Sequence, residues 1–234
     1  MNLTRFFQQK AGVLLLSFFG MLPLCAHAGG IVLGGTRIIY PQDSRQQSVS
    51  VHNTDKKMTF LVQSWAEDSD GRKSKDFVVT PPLFASSPNN ENMLRLVYTG
   101  GELPRDRESL YFFNAKAIPS IDKKALEGKN ALMLATVTRI KLFVRPDGLK
   151  IQPDAAPAAL RFRVEGKSLS ISNPTPYYLT ITNLKSGTTA LSDVMVAPKS
   201  HSSVALPGGA GGDITFSTIN DYGGITPAQK GVMH

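Results

Sequence analysis

Short runs of alternating apolar and polar residues recur along this chain, separated by turn signals, and no segment before residue 146 holds a helical period for more than a turn or two. That combination constrains the chain to an all-β sandwich, because alternation buries one face of a strand and wets the other. The runs in the first half are Ser48–Val51, Thr59–Trp65, Phe77–Val79, Met93–Tyr98, Leu110–Phe113 and Ala131–Val144, preceded by Ile31-Val32-Leu33. Breakers between them include Asn53-Thr54-Asp55, Asp68-Ser69-Asp70-Gly71, Pro81-Pro82 and Ser87-Pro88-Asn89-Asn90. About seven strands in this span match an immunoglobulin-like sandwich. Arg145-Pro146-Asp147-Gly148 breaks the pattern, and strands resume at Leu160–Val164, Leu169–Ile171, Tyr178–Ile181, Val194–Val196 and Ile214–Phe216. The expected fold is two β-sandwich domains, an immunoglobulin-like one over 29–146 and a smaller one over 147–234. Pro207–Gly212 reads as a flexible loop in the second.

Residues 1–28 carry the three parts of an export signal. Arg5 and Lys10 precede an apolar run, Ala11–Leu22, and Ala26-His27-Ala28 offers the small residues of a cleavage site. A membrane span needs about 20 apolar residues, and Pro23 ends this run early. Lipid attachment at Cys25 is disfavoured by the bulky Leu24 before it. Cleavage after Ala28 removes Cys25, the single cysteine of the chain, so the mature protein must hold together without disulfides. Arg5 and Lys10 leave as well, lowering the formal charge of +8 by two. The remaining basic residues are scattered rather than interleaved with aromatics, which argues against a nucleic-acid partner.

Catalysis finds no support. His27 leaves with the signal, His234 is terminal, His52 ends a strand, and His201 lies in a polar Lys-Ser-His-Ser-Ser loop. No histidine pair or carboxylate cluster has metal-ligand spacing, so no cofactor is expected, and no serine sits in a nucleophile elbow. The feature that stands out is the run Ala131–Val144, about twice the usual strand length and uncharged before Arg139. It is either a strand buried between two sheets or a long apolar edge that invites pairing with another chain.

Four separated segments resemble the periplasmic pilus chaperones, the PapD-like family. They are Leu103–Asn114 with Ile118-Pro119, Arg139–Pro146, Asn173–Tyr178 and Ile219–Gly224. The segment between Asn114 and Ala131 is short and cysteine-free, which is similar to the short-loop branch. The resemblance implies a chaperone that binds, folds and caps pilus subunits by lending them a β-strand, then delivers them to an outer-membrane usher. It implies Leu132, Leu134 and Thr136 as donor-strand residues filling a subunit groove. It implies two immunoglobulin-like β-sandwich domains arranged around a cleft, with Arg37 and Lys141 there as the anchor for the subunit's C-terminal carboxylate. It also implies Glu108, Arg145 and Asp221 as an interdomain charge network. Self-association through the long edge is a further expectation. In a regular strand Lys141 has the opposite parity to the three donor positions. Either the strand twists or bulges between Thr136 and Lys141, or the cleft wraps round its edge. The alternatives are a structural or adhesive component of a surface fibre, which would normally carry an incomplete sandwich, and a sugar- or peptide-binding module.

Overall fold

A computed structural model describes residues 29–120, 132–208 and 211–234; the expected export signal at 1–28 lies outside them. In chain order the strands are β1 (Ile31–Leu33), β2 (Arg37–Pro41), β3 (Gln47–Asn53), β4 (Phe60–Glu67), β5 (Phe77–Thr80), β6 (Leu83–Ser86), β7 (Glu91–Tyr98), β8 (Ser109–Pro119) and β9 (Thr136–Arg145). They form two packed sheets, ordered β1-β3-β7-β5 and β2-β9-β8-β4-β6. Their inward faces follow the alternation of the sequence. Val49 and Val51, Leu94 and Leu96, Phe113 and Ala115, and Ile140, Leu142 and Val144 are all buried, while their neighbours face outward. Each large side chain so placed contributes about 1.5–3 kcal/mol relative to exposure. Phe77 packs edge-on against Tyr40, Tyr98 and Tyr111 at one end of this core. The buried Tyr40 hydroxyl donates to Ser44 O and accepts from Tyr98 N.

The second sandwich contains β10 (Arg161–Glu165), β11 (Ser168–Asn173), β12 (Leu179–Ser186), β13 (Thr189–Ala190), β14 (Val194–Val196), β15 (Ser200–Ala205), β16 (Ile214–Thr218), β17 (Gln229–Lys230) and β18 (Val232–Met233). Its sheets run β15-β11-β10-β18 and β13-β12-β16-β17, with β14 also on β12. A separate core of Leu160, Phe162, Ile171, Ile181 and Phe216, among others, lies between them. The chain's last strands close both sheets. β17 pairs with β16 and β18 with β10, so the tail crosses from one sheet to the other at Gly231. A Cβ at Gly231 would lie 2.8 Å from Phe162 and 3.0 Å from Ile214, which explains why this crossing carries no side chain.

Three expectations change. The long strand is shorter: Ala131 lies outside the described residues, Leu132–Ala135 are not in a strand, and β9 begins only at Thr136. His201 belongs to β15 rather than a loop. As an edge strand with only Val204 buried, β15 has too weak an apolar alternation to be read as one. Short β2 was also missed; it lies parallel to β9, in register from Arg37↔Lys141 to Pro41↔Arg145.

Each domain is tied by the same device. Asn53, at the end of β3, is fully buried and its amide nitrogen donates to Met58 O, Ser86 O and Ser87 O. Asn173, at the end of β11, is equally buried and donates to Tyr177 O, Val196 O and Ala197 O. Asn53→Ala or Asn173→Ala leaves buried carbonyl oxygens without a donor, so each should lose about 1–3 kcal/mol of stability. Urea unfolding should show this as a lower midpoint at unchanged slope; an unchanged midpoint would show that neither amide holds its loops.

Candidate functional site

Strand β9 builds the site because its two faces do different work. Its even residues Ile140, Leu142 and Val144 fill the first core, so its odd residues Arg139, Lys141, Phe143 and Arg145 point the other way. Phe143 stacks on Tyr178 of the second domain, with ring centroids 5.6 Å apart. Arg145 Nε donates to Glu108 Oε1 at 2.7 Å, and its terminal nitrogens donate to both oxygens of Asp221 at 2.6 and 2.8 Å. Glu108 Oε2 accepts from Tyr178 N at 2.8 Å, and Glu108 N donates to Pro176 O.

The network residues named from resemblance are thus in contact, and they are not a surface ornament. Glu108 is 3% exposed. Burial pushes its carboxyl above the usual carboxylate range, and Arg145 pulls it part of the way back. Burial also opposes the Arg145 charge, but its hydrogen bonds to Asp221 and the fields of both carboxylates hold it well above the ordinary guanidinium range. Both direction changes follow from one desolvated cluster.

Four cations of β2 and β9 lie on this outward face, and two of them are neutralised on the spot. Arg145 has its two carboxylates. Arg139 donates to Glu67 Oε2 at 2.9 Å, lies 3.5 Å from the Phe112 ring, and shares Glu67 with the Trp65 indole. Arg37 and Lys141 are different. They are opposite each other in the β2–β9 register. Lys141 Nζ donates to Thr180 Oγ1 at 2.9 Å, and Arg37 Nη1 to Ile219 O at 2.9 Å. Among the described residues no carboxylate comes within ion-pair distance of either. Arg37 Nε is buried and has no hydrogen-bond partner. Burial, and then the neighbouring Arg37, push the Lys141 ammonium below its ordinary value. Burial lowers Arg37 too, partly offset by Asp221 and Glu108. Arg37 lines a cavity of about 440 Å³ together with Phe143, Arg145, Tyr178 and Asp221.

The strand above this pair has one open side. β2 accompanies β9 only from Lys141 to Arg145, whereas β8 pairs with it from Thr136 to Val144. Thr136–Ile140 therefore has a partner on one side only, among the described residues. The β8–β9 register runs without a shift from Ala117↔Thr136 to Ser109↔Val144, so no bulge intervenes between Thr136 and Lys141. The difference in parity is real. Thr136 is exposed and belongs to the row that enters the core lower down, while Lys141 faces the cleft. Leu132 and Leu134 precede the strand and are 84% and 67% exposed. The residues that sequence reasoning missed are Phe143, Tyr178, Thr180, Ile219 and the Glu67–Trp65 pair. Lys141 and Thr180 are 39 positions apart, and Arg37 and Ile219 are 182 apart, so no local pattern could reveal them.

Comparison with known proteins agrees over both domains. The family described as "Pili and flagellar-assembly chaperone, PapD N-terminal domain" matches residues 30–150, and "Pili assembly chaperone PapD, C-terminal domain" matches 155–230. This chain belongs to the PapD-like pilus-assembly chaperone family. Within that chaperone family it is 49% identical over 224 residues to chaperone protein FimC of Escherichia coli K12, covering 95% of this chain and 92% of that one. It is 47% identical over 219 residues to the probable fimbrial chaperone SfmC of the same strain, covering 93% and 95%. Among solved structures, the periplasmic chaperone SfaE is 46% identical, with a TM-score of 0.76 over 88% of this chain and 100% of its own. The SafB chaperone in complex with Salmonella enterica SafA pilin is 32% identical, with a TM-score of 0.80 over 89% and 98%.

Arg145→Ala would leave Glu108 as an unpaired buried carboxylate beside Asp221, a change that costs about 3–5 kcal/mol. Small-angle scattering should then show a wider spread of interdomain angles, and thermal unfolding should begin earlier. An unchanged scattering curve would assign the angle to the Phe143–Tyr178 stack instead. In the free protein the Lys141 ammonium should titrate below an ordinary lysine, by nitrogen-15 NMR of the side chain. Its value should rise in Arg37→Met, because one like charge is gone.

Proposed function

We propose that this chain is a periplasmic chaperone that binds, folds and caps pilus subunits, lending them β9 and anchoring their C-terminal carboxylate, for delivery to an outer-membrane usher. One observation carries the reading: Arg37 and Lys141, without a carboxylate between them, stand at the foot of a strand edge that is open on one side. Buried cations normally have partners, so the pair suits an anion supplied from outside. The orphaned Arg37 Nε adds a donor for it. A carboxylate held there accepts charge-assisted hydrogen bonds, each contributing about 1.5–3 kcal/mol.

Anchoring at this position would also set the direction of the guest. A chain that ends at Lys141 and lies back along Ile140 to Thr136 runs parallel to β9. It would be collinear with β2, which is itself parallel to β9 and begins at Arg37. The guest strand would extend the sheet from the point where β2 stops covering it, satisfying both edges with backbone hydrogen bonds. Leu132 and Leu134, exposed beyond the strand end, would supply apolar groups to the subunit's open groove, with Thr136 as the last of the row. The Glu108–Arg145–Asp221 clamp would hold the second domain at the angle that keeps Thr180 and Ile219 against the anchor pair. In this reading the chain loses residues 1–28 on export, and its domains divide at 146. Two free copies would cover the same edge and leucines by pairing with each other.

Co-expression with a subunit in the periplasm tests the anchor. Arg37→Ala and Lys141→Ala should each remain soluble yet lose the subunit on co-purification. Retention by both variants would sink the reading.

A further inference from the structure

The loop that supplies Asp221 to the interdomain clamp also presents Tyr222, the most exposed of the large apolar side chains among the described residues at 95%, and Ile225 at 62%. The loop backbone is nevertheless held firmly. Asn220 Oδ1 accepts from Tyr222 N at 3.1 Å and Gly224 N at 2.9 Å. Gly223 N donates to Asn220 O, Asn220 N donates to Gly224 O, and Ile219 and Ile225 form an antiparallel bridge. The loop also meets the first domain at three alternate positions. Ile219 O accepts from Arg37, Asp221 accepts both Arg145 contacts, and Gly223 backs onto Thr36. At φ +84°, Gly223 occupies a conformation that side chains avoid, and a Cβ there would collide with Thr36 Oγ1.

Tyr222 is therefore an exposed ring on a pre-ordered backbone, and it lines the mouth of the same cavity as Arg37. The structural network does not use its ring. Tyrosine presented in this way is a favoured interface anchor, because its large area is offered at little further loss of backbone freedom. The residues from Tyr222 to Ile225 carry no charge, so the surface fits an apolar patch rather than an acidic one. The occupant follows from continuity. Ile219 O is hydrogen-bonded to Arg37, so whatever brings a carboxylate to Arg37 must lie beside this loop.

We infer that Tyr222, flanked by Ile225, forms a second contact with the anchored subunit, packing on apolar side chains of its body outside its last strand. This rests on the carboxylate-anchoring role of Arg37 and Lys141. Both domains would then grip the guest, the first through its edge and the second through this lip.

Two probes test the contact. One is a subunit retained by the parent protein on periplasmic co-expression; the other is a synthetic peptide of that subunit's last strand with a free C-terminal carboxylate. Tyr222→Ala should unfold at the parent's temperature and bind the peptide as the parent does. It should release the whole subunit about tenfold faster or more. Tyr222→Phe should restore the parent rate. Equal release of the whole subunit, loss of peptide binding as well, or earlier unfolding would each overturn the inference. So would a defect confined to capture of the complex by an usher, which would make the usher the occupant. Lys141→Ala separates the two ideas: it should lose peptide and subunit alike. If Lys141→Ala keeps both while Tyr222→Ala releases the subunit, the anchor fails and the lip stands.

Discussion

A regular strand has two faces and no third, and β9 assigns both of them. One face completes the first hydrophobic core through Ile140, Leu142 and Val144. On β9 the opposite face then carries what meets the second domain, through Lys141, Phe143 and Arg145. Lys141 lies two positions before Phe143 in the same row, so its place at the domain junction follows from the same alternation. Because the β8–β9 register has no bulge, nothing along the strand resets that assignment. The side chains left outward at the end of this strand therefore make three of the contacts that place the second domain, beside those of Arg37 and Glu108.

Desolvation then separates cations that look alike on paper. Arg139, Lys141 and Arg145 are spaced along one face, and Arg37 stands opposite Lys141. Arg139 and Arg145 are compensated by Glu67, and by Glu108 and Asp221. Lys141 and Arg37 have a hydroxyl and a carbonyl, which accept hydrogen bonds without cancelling charge. Bringing two like charges together in a half-buried place is unfavourable unless an anion joins them. The clamp and the open pair therefore depend on each other: Asp221 is held by Arg145 in the loop whose Ile219 carbonyl positions Arg37. Edge exposure adds the other half, since among the described residues Thr136–Ile140 has no partner on the side where β2 begins at Arg37.

Much of the architecture was legible in the chain because alternation is a local signal. Val49 and Val51, or Leu94 and Leu96, declare their strands within a few residues. The failures have equally specific causes. β15 is an edge strand of serines with one buried valine, so its alternation is too faint to see. β9 looked longer than it is because Leu132 and Leu134 continue the apolar pattern beyond the last paired residue, and apolarity does not report pairing. β17 and β18 are two residues each, defined only by the sheets that receive them. Family resemblance named Arg37, Lys141, Glu108, Arg145 and Asp221, but their separation in sequence gave no reason for them to meet.

The amino-acid sequence by itself determined the β class, the division into two sandwiches, and which residues of most strands face inward, because those properties follow from the period-two pattern and its breakers. It did not determine which charges would be compensated. That was decided by tertiary structure, since Arg139 and Lys141 are two cations two positions apart on the same face, and the fold brings a carboxylate near one and not the other. Glu67 reaches one across β8, while a threonine from the other domain reaches the other. Charge compensation is a matter of distance and burial, and neither is written in the local sequence.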